Sequence, residues 1–210
     1  MSKDKPKGAR ALTGDELREL LAKLRTSEFC QKYDLVDPIT MLIATGLRRS
    51  ELLGLRWADY DQAAATISVT GKVSRVTGKG LVRFSETKTA GARTLPLPRF
   101  AVDMLRARRT LPYLGEQLVI FPSTAGTLRD PSNFGRDWRM VRDSLGVPDV
   151  TSHSFRKSLA TLIDDDGLSA RVGADHLGHS KVSMTQDRYM ARGRLHTEVA
   201  ALLDRTISDE

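Results

Sequence analysis

Leu17, Leu20, Leu21 and Leu24 recur three and four positions apart, the spacing of one apolar face on a helix. Thr13-Gly14-Asp15-Glu16 stands just before them, a Thr N-cap with Glu three residues on, which is the wording of a capping box. The pattern predicts an amphipathic helix over residues 14–25. The apolar run Ile39 to Ala44 predicts a second helix from Pro38 to Thr45, broken by Gly46, with a short helix from Ser50 to Leu55. The period then changes. Residues 65–70, 73–76, 81–87 and 93–97 are rich in β-formers and punctuated by Gly71, Gly78 and Gly80. They predict one small antiparallel sheet with a loop at Thr89-Ala90-Gly91, ended by Pro96 and Pro98 ahead of a helix over 99–110. From Pro131 onward, helical segments are expected at 131–145, 152–165, 169–177, 181–189 and 195–205, separated by Gly146-Val147-Pro148, Gly167, Gly178 and Gly193. The expected fold class is mainly α with a small antiparallel β-sheet (α+β). Residues 11–210 read as one domain behind a basic arm of residues 1–10.

Composition narrows the class. The chain has 210 residues, 40% apolar and 28% charged, ordinary proportions for a globular protein. No apolar run reaches the roughly 18 residues of a transmembrane helix, and the first residues lack the apolar core of a secretory signal. No membrane partner and a cytoplasmic location are therefore expected. A lone cysteine, Cys30, excludes an internal disulfide and a cysteine metal site and reads as a buried apolar filler. The net charge of +7 favours a polyanionic partner, nucleic acid being the commonest. Arginines concentrate in Arg106 to Arg109, Arg136 to Arg142 and Arg188 to Arg194, although solvated helix faces would account for such clusters equally well.

Candidate chemistry is scattered in short pieces. Thr45-Gly46-Leu47-Arg48 puts an arginine just past a helix break, with Glu51 three residues on, able to hold a cation or the local backbone. In Ser152-His153-Ser154-Phe155-Arg156, Ser152 is placed to cap a helix carrying His153 and Arg156 on one face, at an end that favours phosphate. Leu177-Gly178-His179 presents a histidine in a turn, and Tyr189 follows ten residues later. Each piece alone reads as ordinary surface or core. Together, two arginines, two histidines and a tyrosine suit metal-free attack on a phosphodiester, with cations stabilising the transition state. Asp164-Asp165-Asp166 reads as a solvated helix end, and His176 with His179 lacks a third metal ligand. No cofactor or metal is expected.

The ordered set TGLRRSELLGLRW, HSFRKSLAT, LGH and Tyr189 resembles the tyrosine recombinases, or phage-type integrases, across residues 12–205. The segments SETKTAGARTLPLP and LGHSKVSMTQDRY are similar in style to integrases of actinobacterial phages. The resemblance implies a recombinase catalytic-domain fold that cleaves and rejoins DNA through a 3′-phosphotyrosyl intermediate. Tyr189 would be the nucleophile, Arg48 and Arg156 would clamp the non-bridging oxygens, and His179 would add a hydrogen bond to them. His153 would assist proton transfer at the tyrosine, and a hairpin lysine would protonate the leaving 5′-oxygen. Lys88 fits that lysine best, with Lys72 and Lys79 as rivals, and Glu51 would support the arginine. Implied partners are double-stranded DNA carrying attachment sites, a homo-tetramer on that DNA, and accessory DNA-bending or directionality proteins. The N-terminal DNA-binding domains usual in the family are not expected within this chain. The histidine-to-tyrosine gap is one residue longer than in many members. The stripe Val199, Leu202 and Leu203 would dock on a neighbouring protomer or on the chain's own core. A type IB topoisomerase-like enzyme and a non-catalytic DNA-binding regulator on the same scaffold remain alternatives.

Overall fold

The computed structural model describes residues 9–85, 92–112, 118–178 and 195–207. The first helix, α1 (Gly14–Thr26), begins as its sequence dictates. Thr13 Oγ1 accepts from the Glu16 N–H at 3.3 Å, and the Glu16 carboxylate accepts the Thr13 N–H at 2.8 Å. Its four leucines are buried, each contributing about 1.5–3 kcal/mol. A short α2 (Glu28–Lys32), for which the sequence showed no period, follows on a Ser27 cap. The next helix, α3 (Val36–Thr45), is almost wholly buried and stops at Gly46, whose φ of 62° only glycine adopts readily. A Cβ there would also meet Leu177 and Leu159. The short α4 (Arg49–Leu52) comes directly after.

The strands are β1 (Tyr60–Asp61), β2 (Thr66–Val69), β3 (Gly71–Val76), β4 (Gly80–Ser85) and β5 (Arg93–Pro96). All pair antiparallel, but they form two sheets where the sequence suggested one. The first has the order β1-β2-β5, with Ile67 opposite both Tyr60 and Leu95; the second is the β3-β4 hairpin. The division falls at Thr70. Its hydroxyl donates to Asp59 at 2.8 Å and accepts from Arg83 at 2.7 Å, so side-chain bonds interrupt the ladder there.

Helices α5 (Arg99–Arg109), α6 (Pro131–Val141), α7 (Ser152–Asp165), α8 (Ala170–Leu177) and α9 (Thr197–Ile207) complete the described fold. The ends differ from expectation in places: α6 stops at Val141, and α7 is capped by Thr151, with Ser152 as its first helical residue. The proposed helix 181–189 lies outside the described residues. Packing of α3 against α7, and of α7 against α8, sets the part of the core beneath the site. Arg10, which the sequence assigned to the arm, is held by Glu16 at 2.6 Å and Asp149 at 3.4 Å.

The C-terminal stripe settles on its own chain. Val199, Leu202, Leu203 and Ile207 are buried, and α9 packs on α1, α5, α7 and β5. Cys30 is fully buried, as expected. Among the described residues, no helix is long and apolar enough to cross a membrane.

Candidate active site

The turn after α3 and the start of α7 face each other. Together with Pro131 at the head of α6 they enclose a cleft of 260 Å³, lined by Leu47 to Ser50, Ser152, His153 and Arg156. Arg48 is thus brought together with His153 and Arg156, which follow it by more than a hundred residues of chain. His153 is exposed at the mouth.

Arg156 is 4% exposed and is held by backbone. Its Nη1 donates to the Gly46 carbonyl at 3.0 Å and its Nη2 to the Leu177 carbonyl at 2.5 Å. It therefore spans the C-terminal ends of α3 and α8, where unpaired carbonyls carry partial negative charge. Burial, then the neighbouring charges of Arg48 and Arg93, push its pKa down to about 10, with Glu51 opposing. It remains a cation at neutral pH, in surroundings that favour an added anion.

Glu51 organises the other side. Its buried carboxylate accepts the Arg48 N–H at 2.9 Å and Arg48 Nη1 at 3.1 Å, while the Arg48 side chain stays 51% exposed. The same carboxylate accepts Arg93 Nη2 at 3.2 Å and Nη1 at 3.5 Å. Burial would raise its pKa, but attraction to Arg93 and the hydrogen bonds from Arg48 and Arg93 outweigh it, so the net shift is downward. The sequence reading anticipated both possible jobs of Glu51, and it does both.

Arg93 is the residue that sequence reasoning missed. From β5 it reaches Glu51 and also donates Nε to the His176 carbonyl at 3.1 Å. Its guanidinium lies so close to Gly178 that a Cβ there would come within 2.8 Å. Arg93 and Arg156 thus hold the successive carbonyls of residues 176 and 177 at the end of α8. The signal in the sequence was an arginine opening a β-rich segment before Pro96; nothing in that pattern marks it as buried. His176, beneath both arginines, is fully buried, and among the described residues neither ring nitrogen has a hydrogen-bond partner.

The remaining candidates fall differently. Lys88, His179 and Tyr189 lie outside the described residues. Lys72 is exposed on β3, and Lys79 is exposed in the β3-β4 turn. That hairpin is tied to the site by Arg75, whose Nε and Nη2 donate to Asp130 at the cap of α6, at 2.9 and 2.6 Å. Not every arginine cluster points outward. Arg108 is buried against Asp34 and Asp37 at 2.7 and 2.8 Å, far from any role as a loose cation.

Comparison with known proteins gives the family and the fold. The family model described as the phage integrase family matches residues 10–194. Tyrosine recombinase XerC of Mesorhizobium japonicum is 36% identical over 150 residues, covering 70% of this chain and 44% of the relative. Tyrosine recombinase XerA of Thermococcus kodakarensis is 29% identical over 184 residues, covering 84% of this chain and 56% of the relative. The chain spans less than half the length of several of these curated relatives. Among solved structures, the Tn1549 transposon integrase in complex with a circular intermediate DNA superposes with a TM-score of 0.76 at 20% identity, over 96% of this chain and 67% of that one. The XerA recombinase crystal structure gives 0.62 at 23% identity, over 87% and 61%. The fold is that of integrase catalytic domains, and the chain belongs to the phage integrase family.

Proposed function

We propose that residues 11–210 form the catalytic unit of a site-specific DNA recombinase that breaks and rejoins strands through a 3′-phosphotyrosyl intermediate. The observation that carries this reading is the convergence of Arg48 and Arg156, with His153, on one cleft, with the buried Glu51 carboxylate shared by Arg48 and Arg93 behind it. Two guanidiniums of this kind grip the non-bridging oxygens of one phosphate. Tyr189 attacks phosphorus, the bond to the 5′-oxygen breaks, and Lys88 supplies the proton to that leaving oxygen. His153 assists proton transfer at the tyrosine, and His179 adds a hydrogen bond to the phosphate. The phosphotyrosyl bond conserves the energy of the phosphodiester, so rejoining needs no nucleotide. The partner is double-stranded DNA bearing attachment sites, bound by four copies of the protein together with accessory DNA-bending or directionality proteins in the cytoplasm.

The test is covalent capture on nicked suicide duplexes from an attachment-site library, read on a denaturing gel. The wild-type chain is expected to give a covalent adduct. Tyr189→Phe is expected to give none while still binding DNA. Adduct formation by Tyr189→Phe would overturn the assignment.

A further inference from the structure

Beside the cleft runs a second groove, of 220 Å³, between α6 and the start of α7. The two share Arg49, Ser152 and His153. Arg49 points away from Arg48, across α6. Its Nη1 donates to the Pro131 carbonyl at 3.1 Å and lies directly over Gly135, where any Cβ would overlap it. The same imagined Cβ would sit 3.6 Å from Arg139 Nη1. Two guanidiniums therefore meet over one glycine.

No carboxylate among the described residues forms an ion pair with either of them. The nearby acids are already engaged: Asp130 with Arg75 at 2.6 Å, Asp137 with Arg136 at 3.3 Å, and Asp143 with Arg142 at 3.7 Å. Arg142, at the far end of the groove, is held to the Val150 carbonyl at 3.0 Å and serves as wall. Arg139 is exposed and Arg49 half-buried, so both forks are open to a ligand, and one phosphate accepts from two forks at once. A helix N-terminus beside them, that of α7, favours the same ligand.

We infer that Arg49 and Arg139 form a binding site for a second phosphate, one adjacent to the scissile phosphate on the same DNA strand. The inference rests on the cleft receiving the scissile phosphate, as proposed above. Contiguity decides the choice of ligand. Arg49, Ser152 and His153 border both spaces, and a phosphodiester chain is the ligand that places two anions at a short fixed spacing. Such a contact carries no sequence information. It fixes the register of the strand, so that the correct phosphate lies between Arg48 and Arg156.

The experiment pairs protein variants with backbone-neutralised DNA. Duplexes are selected from the library by binding, not by cleavage, and single methylphosphonates are placed at each phosphate flanking the nick. Arg139→Gln is expected to weaken binding several-fold and to lower the slope of log affinity against log salt by about one. At one flanking position the methylphosphonate should weaken wild-type binding but have no further effect on Arg139→Gln. Gly135→Ala retains every charge and suits a helix, yet it displaces Arg49 and should lose the same coupling. Melting curves confirm that the variants fold. If methylphosphonate penalties multiply with Arg139→Gln at every position, or if the salt slope stays unchanged, the site does not exist. Because the readout is binding, absence of an adduct would refute the cleavage reading without touching this result.

Discussion

Mild acid should destabilise this protein through one histidine. Burial first, then the charges of Arg93 and His196, push the His176 pKa down to about 3; Arg156 adds to this, and the Thr45 main chain weakly favours the proton. Thr45 nevertheless lacks hydrogen-bond geometry to either ring nitrogen. In the unfolded chain the same histidine titrates near 6.5. The folded value is the lower one, so the unfolded state binds more protons between the two values, and stability falls as pH drops through that window. It is fully retained above about pH 6.5 and declines by roughly 1.4 kcal/mol per unit down to about pH 3. From pH 7 to pH 5 the loss works out at about 2 kcal/mol, a large part of a typical stability. The assay is urea unfolding at both pH values for the wild type and for His176→Leu. Leucine has similar bulk and leaves no unpartnered nitrogen, so the variant should change stability at pH 7 by less than about 1.5 kcal/mol. It should lose about 2 kcal/mol less than the wild type on going to pH 5. Equal losses in the two proteins would refute a buried, neutral His176.

Arg93→Gln leaves Glu51 with Arg48 as its remaining cation and breaks a buried pair, at a cost of about 3 kcal/mol. Adduct formation should slow as Glu51 draws Arg48 inward. Adding Glu51→Gln should recover part of both losses; strictly additive effects in a double-mutant cycle would mean that Arg93 does not act through Glu51. Ending the chain before α9 removes the apolar contacts of Val199, Leu202, Leu203 and Ile207. The contribution lost is on the order of 6 kcal/mol, so thermal melting should fail or fall steeply. A truncated chain that melts like the full one would show that α9 is not part of the core.

The helices were legible where a period met a cap. Thr13 and Glu16 announced α1, Gly46 ended α3, and the face of α7 carrying His153 and Arg156 followed from their spacing. The two sheets were not legible, because residues 66–76 read as β-rich throughout and the break at Thr70 depends on Asp59 and Arg83 arriving from elsewhere. The destination of α9 was equally hidden. An apolar stripe has the same sequence whether it covers its own core or another chain's. Arg48, Glu51 and Arg156 could be named because local chain punctuation exposed them. Arg93 could not, since its meaning lies in a bond to Glu51, 42 residues away.

That missing residue changes what the cleft is. With Arg48 and Glu51 alone, the supporting carboxylate would simply neutralise the arginine it positions, leaving little attraction for a phosphate. Arg93 takes a share of the same carboxylate from the buried side, at 3.2 Å, while Arg48 keeps one side-chain bond and half its surface open. Arg156 adds a third cation whose hydrogen bonds go to neutral carbonyls. Three positive charges then face one negative charge. The excess is maintained by geometry, because the carbonyl ends of α3 and α8 hold the buried guanidiniums without cancelling their charge. On the proposed function, an anion entering between Arg48 and Arg156 meets donors already in place, and little reorganisation is left for the moment of reaction.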